Sequence, residues 1–598
     1  MARPSPSGLT LGIHDGHGAG AALAHDGRVL AAVSEERLTR RKRERGFPRL
    51  SIAACLSISG ATPDDVEQVV YATRWGRAGT RLFDGRYRRG DEGGGPLALA
   101  ARLEARLENG SARLPGWRAF EASVGRAALV RRLGEHSGVR RARVDAMEHH
   151  QAHSLAAAFG AGFGGQREPR SRDSATAELV VTLDGFGDGL AGSVSEVVRE
   201  GSGDARLRRI AELPWTQSLG LVYGAVCHAL GFAEGEEGQV TALAASGDPG
   251  PFAALLASVI RIPEPCDELR GPHEAFTVDR KQLAGPLRRA VGNAEPSDVA
   301  RALQDRVEAA AARWVRSAIA PFTTGSRTLR VACAGGLFAN VRLAPRLKRL
   351  PQIEEVQVFP AMSDDGLCVG AALGGRGLGG RPQQHGGVYY GPDIHPREAA
   401  DSLARAGLTP EPPCDVAAAV ARAIASGLTV AVVAGRMEFG PRALGHRSLL
   451  FDARRPELAV HVGRALRRPP HMPFAPAVLA GELPRCLEAP AGLERTAEHM
   501  TVALGTTPWM QERYPAAVHV DGTARVQAVD SERAPRMARI LEALRTSTGH
   551  GVAMNTSFNL HGEPIVASAE DAVRTFRASG VDLMLLGDLL VRRAGEPG

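Results

Sequence analysis

Short apolar runs that end in glycine-rich turns mark the beginning of the chain. Residues 9–13 are apolar, residues 14–20 are rich in glycine, and an Asp-Gly pair at 26–27 precedes a second apolar run at 28–34. Apolar runs of this length, bounded by glycine and by an Asp-Gly pair, predict strands joined by tight turns. We therefore expect a strand, a glycine turn, a hairpin and a returning strand in this region.

The same pattern recurs further along the chain. An apolar run at 179–183 is followed by the acidic glycine turn 184–189 and by a second apolar run at 191–198. Two strand–turn–strand units of this kind predict a duplicated α/β core whose turns face a common cleft. Actin-like ATPase folds are built in this way, and we expect that fold class by analogy.

Two later apolar runs also end at glycine or aspartate. Residues 329–333 lead into a Gly-Gly pair at 335–336 and then into 337–340, where we expect a helix to begin. Residues 356–359 lead into the acidic turn 363–366 and then into an Ala/Gly-rich helix. A helix that starts after a glycine turn presents backbone N–H groups to which a phosphate can bind. The first of these junctions is therefore a candidate phosphate site.

The Gly/Arg/Gln-rich stretch 374–387 divides the chain into two predicted domains, 1–386 and 387–598. Residues 97–133 look helical and are a candidate insertion or cap within the first domain. Helical periodicity or a buried apolar pattern predicts the following further elements: helices at 296–320, 396–406 and 416–426, and a strand at 429–434.

Composition places the chain among ordinary globular proteins. Of 598 residues, 44% are hydrophobic and 23% are charged. We find neither an apolar run of the ~18–20 residues that cross a bilayer nor the apolar segment of a secretory signal. The seven cysteines are scattered, with no CxxC pair, which disfavours a disulfide framework and zinc fingers. We therefore expect a cytoplasmic protein without a membrane partner.

The net charge of +7 raises the question of nucleic acid binding. However, acidic residues are interleaved with the arginines, and aromatic residues make up only 5% of the chain, too few for base-stacking surfaces. Small anionic substrates account for the arginines equally well. We therefore expect no nucleic acid partner.

Two histidines and two aspartates form the first candidate site. His149 and His153 are four residues apart, so on a helix they share one face. Asp184 and Asp364 each follow a predicted strand beside glycine. Two imidazoles and two carboxylates suit a divalent first-row metal with positions open for substrate. The alternatives are ordinary buried histidines and aspartates that serve as turn or cap residues.

The second candidate site is the arginine-rich run 435–448. Arg436, Arg442 and Arg447 lie between glycine turns directly after a predicted buried strand, which favours an oxyanion or phosphate site over a solvated basic loop. Polar clusters at 519–525 and 554–559 also follow apolar stretches. Their hydroxyl and amide groups suit phosphate or carbonyl oxygens, with plain turn and cap residues as the alternative.

These motifs, in this order over nearly the whole chain, resemble the NodU/CmcH-type O-carbamoyltransferases, the family of the tobramycin, cephamycin and ansamycin carbamoylating enzymes. The matching positions in the predicted first domain are 16–17, 21–22, 34–37, 149–153, 184–185, 335–336, 340 and 364–366. Those in the second are 435–448, 473–476, 521–525, 527, 555–559 and 561–564.

The resemblance implies an α/β protein with a Kae-like, actin-like ATPase domain followed by a YrdC-like domain. In such enzymes the YrdC-like half makes carbamoyl adenylate from carbamoyl phosphate and ATP, and Mg²⁺ accompanies the nucleotide. The Kae-like half then passes the carbamoyl group to a hydroxyl of a small-molecule acceptor beside an iron ion. An Ala/Arg/Gly-rich chain is also typical of GC-rich organisms, in which antibiotic tailoring enzymes are frequent.

Residue roles carry over by motif. The resemblance implies that His149, His153, Asp184 and Asp364 hold Fe²⁺ or another divalent metal. His17 is implied as general base at the acceptor hydroxyl, and Arg442 as the catalytic arginine of adenylate formation. The implied substrate- and nucleotide-binding residues are Gly335, Gly336, Asn340, Arg436, Arg447, Arg468, Arg525, Asn555, Ser557 and Asn559.

The chain also departs from the family pattern. Gly18 and Gly20 stand where the family usually has Asp and Ser, and Gln239 stands where it often has Lys. Ahead of Pro473, only Arg468 matches the expected basic and aromatic residues.

Two other functions share parts of the pattern. One is a threonylcarbamoyl-type tRNA modification enzyme, although Kae-type and YrdC functions usually lie on separate chains there. The other is a non-catalytic nucleotide- and metal-binding regulator, which has no reason to keep the arginine run 435–448. The sequence leaves the acceptor and the oligomeric state open.

Overall fold

A computed structural model of the chain describes residues 8–73, 117–163, 176–199, 205–263, 271–279, 294–323, 327–374, 387–411, 413–488 and 491–593, together with 282, 291 and 325. For residues 117–124 it describes only the backbone. The predicted linker and the predicted domain boundary near 386 lie outside these ranges, so the division into two domains at that point stays a prediction. The N-terminal half comprises the described residues up to 374, and the C-terminal half comprises those from 387 onward.

The N-terminal half begins with a five-stranded sheet. Its strands are β1 (Leu9–His14), β2 (Gly20–His25), β3 (Arg28–Ser34), β4 (Val66–Tyr71) and β5 (Arg143–Ala146), in the spatial order β3-β2-β1-β4-β5. The first three strands are antiparallel, whereas β4 and β5 run parallel to β1. The hairpin between β2 and β3 turns at Asp26 and Gly27, both with positive φ, as predicted from the Asp-Gly pair.

A second sheet repeats this topology. Its strands are β6 (Thr176–Gly187), β7 (Leu190–Arg199), β8 (Ala205–Pro214), β11 (Thr328–Ala334) and β12 (Ile353–Val358). A separate short pair, β9 (Ile260–Arg261) and β10 (Thr277–Val278), comes between β8 and β11 in the chain. The spatial order β12-β11-β6-β7-β8 has the same three antiparallel and two parallel strands as the first sheet. The predicted duplication of the core is confirmed.

The C-terminal half is built on a mixed seven-stranded sheet. Its strands are β13 (Val430–Val433), β14 (Arg447–Phe451), β15 (Ala475–Leu479), β18 (Gln527–Val529), β19 (Val552–Ser557), β20 (Leu583–Leu586) and β21 (Leu589–Arg592). They lie in the spatial order β18-β15-β19-β14-β13-β20-β21, beside the two-stranded sheet of β16 (Leu504–Gly505) and β17 (Thr523–Ala524). The predicted α/β fold class, with a duplicated N-terminal half and a separate C-terminal α/β sheet, is confirmed.

Helices cover the faces of all three large sheets. In the N-terminal half they are α1 (Glu35–Thr39), α2 (Arg49–Ser59), α3 (Trp117–His136), α4 (His149–Ala161), α5 (Leu219–Ala229), α6 (Glu237–Leu243), α7 (Gly250–Val259), α8 (Pro296–Ile319), α9 (Leu343–Lys348) and α10 (Leu367–Gly374). In the C-terminal half they are α11 (Pro396–Arg405), α12 (Val416–Ala425), α13 (Pro456–Ala465), α14 (Leu483–Cys486), α15 (Glu494–Ala497), α16 (Pro508–Arg513), α17 (Pro535–Thr548) and α18 (Ala569–Ala578). Within the described ranges, no helix combines the length and the apolar character needed to cross a bilayer.

Two helix predictions need correction or completion. The helix expected to start at 337 is a single 3-10 turn, Gly336–Ala339, because Asn340 leaves the helical region with φ −73° and ψ 102°. Of the candidate insertion 97–133, residues 97–116 lie outside the described ranges, and the remainder belongs to α3.

Helices α4 and α10 lie side by side between the two N-terminal sheets. Their contact depends on small residues: a Cβ at Gly370 would lie 1.8 Å from the Ala152 carbonyl oxygen, and one at Gly12 in β1 would lie 2.0 Å from the Cys368 carbonyl oxygen. Because these positions admit no side chain, α10 packs closely against both α4 and β1. This packing holds the first turn of α4 at the cleft between the sheets.

Arginine side chains join the two halves. Arg37 Nη2 donates to the Gly440 carbonyl at 2.6 Å, and Arg40 Nη2 and Nη1 donate to the carbonyls of Pro564 and Ile565 at 2.6 and 2.7 Å. Each of these bonds uses a charged donor on a backbone acceptor, which makes it stronger than a neutral bond. The halves therefore meet along a polar interface.

A buried ion-pair network ties three strands of the second sheet. Arg330 of β11 lies directly opposite Glu178 of β6 and Glu355 of β12, and it donates to their carboxylates at 2.9 and 2.7 Å. We expect Arg330→Ala to lower the free energy of unfolding by about 3 kcal/mol, because it leaves two carboxylates close together without their shared cation. Urea denaturation checks this, and exposed Arg327→Ala, expected within about 0.5 kcal/mol of wild type, is the control. Equal losses in both variants would contradict the prediction.

Candidate active site

Helix α4 begins at the first histidine of the candidate metal site. Its N-cap, Glu148, accepts hydrogen bonds from the backbone N–H groups of the first turn and is itself bound by Arg209. Asp188 Oδ2 accepts the backbone N–H of His149 at 2.9 Å. These acceptors fix the start of α4, so that His149 and His153 project from one face into the cleft.

The two aspartates come from strand ends that meet this helix. Asp184 lies near the end of β6, and its Oδ1 accepts the backbone N–H of Gly336 at 2.7 Å. Asp364 opens the 3-10 turn that follows β12. A Cβ at Gly187 would lie 2.1 Å from Cγ of His149, so the turn after Asp184 closes directly over that imidazole. The topology therefore brings both carboxylates to the histidine face of α4.

All four predicted metal ligands lie together. His149 Nε2 is 3.4 Å from Asp184 Oδ2 and 3.6 Å from Asp364 Oδ1, and His153 Nε2 is 3.5 Å from Asp364 Oδ1. One ligand atom from each residue falls within 4.8 Å of all the others. The Nε2 atoms of His149 and His153 are buried and have no hydrogen-bond partner. Buried imidazole nitrogens that face two carboxylates fit a divalent cation.

The charges in this cluster stabilise one another. Burial acts to lower the pKa of His149, but Asp364 and Asp184 raise it to about 9. Burial acts to raise the pKa of Asp184, yet His149 and His153 hold it well below the ordinary value. The neighbouring His150 bonds Thr182 Oγ1 at 2.9 Å, and burial lowers its pKa to about 3, so it stays neutral. The cluster is therefore anionic when both ligand histidines are neutral, as a metal cation requires.

His17 lies in the turn after β1, and His14 connects it to the cluster. His14 Nε2 bonds the His17 carbonyl at 3.2 Å and lies 3.8 Å from Asp364 Oδ2. The side chain of His17 is 38% exposed, with Nε2 3.6 Å from Glu234 Oε1. His14 therefore lies beside the ligand candidate Asp364, whereas His17 is connected to it through its own carbonyl, and the Nε2 atom of His17 is buried.

Three arginines of the C-terminal half form a second cluster. Burial lowers the pKa of Arg442 to about 10, and burial together with Arg442 lowers the pKa of Arg468 to about 10. Burial, Arg442 and Arg468 together lower the pKa of Arg525 strongly. The Nε atoms of Arg442 and Arg525 are buried without a hydrogen-bond partner, whereas Arg468 donates to Ser557 Oγ at 2.8 Å. Half-buried like charges with unused donors predict an anion between them.

Glu438 shapes the loop that carries Arg442. It is 2% exposed, and its Oε1 accepts the backbone N–H groups of Leu444 and His446 at 2.7 Å each and of Arg447 at 3.2 Å. The buried carboxylate of Glu438 therefore stabilises the conformation of this loop by binding its backbone N–H groups.

The other arginines of the run 435–448 are not brought to this cluster. Arg447 is fully buried, and its donors bond the carbonyls of Gly435, His446, Pro392 and Ala567. Arg436 likewise bonds the carbonyls of Gly391, Tyr390 and, across to the N-terminal half, Leu30. Both guanidinium groups hold the fold together rather than facing Arg442.

The predicted amide groups mostly support neighbouring backbone. Asn555 Nδ2 donates to Gln527 Oε1 at 2.7 Å and to the Ala443 carbonyl at 3.2 Å, beside Arg442. Asn559 Nδ2 bonds the carbonyls of Leu560 and Glu563 at 2.9 Å each. The Oδ1 atoms of Asn555 and Asn559 are buried without a partner.

The glycine turn of the N-terminal half lies against the metal cluster. Gly335 has φ 104°, and a Cβ there would lie 2.1 Å from the Leu183 carbonyl oxygen. The backbone N–H of Gly336 donates to the Asp184 carboxylate. Asn340 and Gln304 bond each other through both amides, at 2.8 and 3.1 Å. The three predicted nucleotide-binding residues Gly335, Gly336 and Asn340 therefore line the same end of the second sheet.

Sequence reasoning missed several residues that shape both sites. These residues are His14, Asp188 and Glu438, and none of them belongs to a motif whose spacing predicts a metal or anion site. His14 could have been found from its place at the end of buried β1, and Asp188 from its repeat of the Asp-Gly pair that contains Asp184. Nothing in the sequence marks Glu438 as the acceptor of three backbone N–H groups.

Comparisons with known proteins give a consistent result for both halves. The family described as "Carbamoyltransferase N-terminus" matches residues 9–373, and that described as "Carbamoyltransferase C-terminus" matches residues 421–593. The nodulation protein NolNO of Sinorhizobium fredii is 30% identical over 594 residues, which cover 97% of this chain and 79% of that protein. The nodulation protein NolO of Bradyrhizobium diazoefficiens is 30% identical over 460 residues, covering 75% of this chain and 79% of that protein.

Solved structures give more distant matches. Component A of the Acidaminococcus fermentans (R)-2-hydroxyglutaryl-CoA dehydratase has a TM-score of 0.30 and 13% identity, covering 61% of this chain and 97% of that one. HypF of T. kodakarensis has a TM-score of 0.27 and 12% identity, covering 62% of this chain and 47% of that one. These scores are too low to compare individual sites.

Replacing His149 by Ala tests the metal cluster. We expect the variant to lose Mn²⁺ binding by at least about tenfold in Kd, because one of four ligand atoms is removed. Isothermal titration with MnCl₂ measures this, and exposed His228→Ala is the control. Retention of wild-type affinity by His149→Ala would remove His149 from the ligand set.

The pH dependence of metal uptake follows from the pKa of His149. Without metal, His149 holds its proton up to about pH 9, so a bound metal must displace that proton. We therefore expect the Kd for Mn²⁺ to fall about tenfold per pH unit between roughly pH 6.5 and 8.5. Titrations in buffers of different ionisation enthalpy count the released proton. A Kd that does not change with pH would contradict this.

Proposed function

The chain belongs to the carbamoyltransferase family, and on that premise we propose that it is an ATP-dependent O-carbamoyltransferase. In this proposal carbamoyl phosphate, water and ATP give carbamoyl adenylate, phosphate and pyrophosphate at the arginine cluster. The carbamoyl group then passes, with release of AMP, to a hydroxyl of a small-molecule acceptor, of natural-product type, beside the metal cluster. The observation that carries the proposal is the pairing of these two sites in one chain. One is a cationic cluster of half-buried arginines, and the other is an anionic cluster of three buried residues and one half-buried residue.

The arginine cluster supports the first half-reaction. Burial and the repulsion among Arg442, Arg468 and Arg525 all disfavour their charged forms. A bound phosphate or pyrophosphate group reverses that penalty, because its oxygens accept hydrogen bonds from guanidinium donors in a low-dielectric site. Such a site also keeps water from a reactive mixed anhydride. Mg²⁺ accompanies ATP in this proposal.

The metal cluster supports the second half-reaction. His149, His153, Asp184 and Asp364 would hold a divalent ion, iron in this proposal, and when bound the ion supplies Lewis acidity at the carbamoyl carbonyl. His17 is joined to this cluster through the bond from His14 to its carbonyl, and its side chain is 38% exposed, so an acceptor can reach it from solvent. As a neutral imidazole it can take the proton from the acceptor hydroxyl as the new carbon–oxygen bond forms and AMP leaves.

The layout favours this function over the alternatives. Family matches to both halves fall on one chain, whereas the Kae-type and YrdC functions of tRNA modification usually lie on separate chains. A non-catalytic regulator has no use for three half-buried arginines whose charges repel one another.

Arg442→Ala tests adenylate formation. We expect carbamoyl-phosphate-dependent ATP–pyrophosphate exchange to fall by at least about 100-fold, because the variant loses a half-buried cation that neutralises the phosphate charge during adenylate formation. The exposed Arg464→Ala in α13 is the matched control and should exchange like wild type. Wild-type exchange in Arg442→Ala would remove this residue from the catalytic site.

His17→Ala tests the division between the two half-reactions. We expect exchange to survive while carbamoyl transfer to an acceptor falls about 100-fold or more, because only transfer needs the base. Mass spectrometry of candidate alcohols, with His25→Ala as control, measures the transfer. Normal transfer by His17→Ala would exclude it as the base.

A further inference from the structure

Arg342 bridges the two halves at Asp521, four residues before Arg525 in the chain. It lies two residues after Asn340, just before α9. Its Nε donates to Glu308 Oε1 in α8 at 3.0 Å, and its Nη1 donates to Asp521 Oδ2 in the C-terminal half at 2.9 Å. The side chains of Arg342, Glu308 and Asp521 are 29%, 14% and 18% exposed. The bridge is therefore partly shielded from water, where an ion pair is stronger than at the surface.

Asp521 is the acceptor at the base of the turn that leads to Arg525. Its Oδ1 accepts the backbone N–H of Thr523 at 3.1 Å and the Thr523 hydroxyl at 2.6 Å. Thr506 Oγ1 donates to the Gly522 carbonyl at 2.7 Å, and Ala524 then pairs with Leu504 in the short sheet. Arg525 is the next residue. Asp521 is therefore one of the groups that hold the turn directly before Arg525.

At its other end, the bridge reaches the glycine turn of the N-terminal half. Asn340 Oδ1 accepts the backbone N–H of Arg342 at 3.2 Å, and Gln304 donates both to Asn340 at 3.1 Å and to Glu308 Oε1 at 2.8 Å. Glu308 Oε1 therefore accepts from Gln304 and Arg342 together. A continuous hydrogen-bonded chain runs from the turn after Gly336 to Asp521.

Arg525 needs such an anchor for an electrostatic reason. Burial and two neighbouring arginines disfavour its charge, so before an anion binds, its placement beside Arg442 and Arg468 costs free energy. If residues outside the cluster hold the turn 521–525, the three guanidinium groups stay in place. The entropy cost of ordering them when an anion binds is then lower.

We propose that Arg342 is a positioning residue for the anion site: by holding Asp521 it aims Arg525, so the N-terminal half completes the phosphate-binding cluster of the C-terminal half. This inference rests on the proposed function for the identity of the anion, carbamoyl phosphate or the phosphates of ATP. It assigns to Arg342 no contact with substrate.

Arg342→Met is the principal test. In carbamoyl-phosphate-dependent ATP–pyrophosphate exchange, we expect the KM for carbamoyl phosphate to rise about three- to tenfold with kcat within about twofold, as couplings between neighbouring charged groups predict. Arg342→Lys keeps a charge that can reach Asp521 and should recover most of the loss. Arg346→Met, in the same helical segment but exposed, is the matched control and should match wild type.

Two further measurements distinguish the positioning role of Arg342 from a general contribution to the stability of the fold. If Arg342 acts through Asp521, then Asp521→Asn should raise the same KM, and the double variant should be no worse than either single variant. Mn²⁺ affinity at the metal cluster should stay at the wild-type value in all of these variants. Additive losses, a KM equal to that of Arg346→Met, or loss of Mn²⁺ binding would each overturn the proposal.

Binding of pyrophosphate, measured by isothermal titration, separates this inference from the proposed function. Wild-type protein without carbamoyl-phosphate-dependent exchange would overturn the proposed function. In that case the role of Arg342 is still supported if Arg342→Met binds pyrophosphate about three- to tenfold more weakly than Arg346→Met does. This is the range expected from the coupling between neighbouring charged groups. Equal affinity, or no pyrophosphate binding by the wild type, overturns it.

Discussion

Two carboxylates and two imidazoles lie together, three of the four residues buried and Asp364 half-buried, where strands β6 and β12 end against the first turn of α4. Charged groups tolerate burial only when they are paired, so this cluster constrains everything around it. The turn after Asp184 must close over His149, which only a glycine at position 187 permits. Helix α10 must come close enough to hold α4 in place, which Gly370 permits. The duplicated sheets supply the strand ends that carry the aspartates. The glycines allow the backbone to come close to His149 and to α4.

The C-terminal half presents the opposite electrostatic situation. There the clustered groups are half-buried cations of like sign, and burial disfavours the charged states of Arg442 and Arg525. Such an arrangement persists only when surrounding structure holds it. Glu438 closes one loop from within, and Ser557 holds Arg468. An anionic ligand is the natural complement to this cluster, just as a cation is to the metal cluster.

The interface between the halves links these two centres. Arg37 and Arg40 bind backbone carbonyls of the C-terminal half, and Arg436 binds a carbonyl of the N-terminal half in return. Arginine suits this use because its planar fork reaches several carbonyls at once. The guanidinium group of arginine therefore stabilises the fold at some positions, whereas at others its Nε–H group has no hydrogen-bond partner among the described residues and can bind a ligand.

The sequence by itself determined the α/β class, the duplicated strand–turn–strand units and the spacing of the four metal-ligand candidates, because strand alternation, glycine turns and helical periodicity are local properties. It could not separate Arg442 from Arg436 and Arg447, which lie within 12 residues of one another in one basic run. Only the tertiary structure decided which guanidinium meets backbone carbonyls and which meets other arginines. It alone also revealed Glu438 and Arg342, because their partners depend on long-range packing and on the meeting of two halves that are distant in sequence.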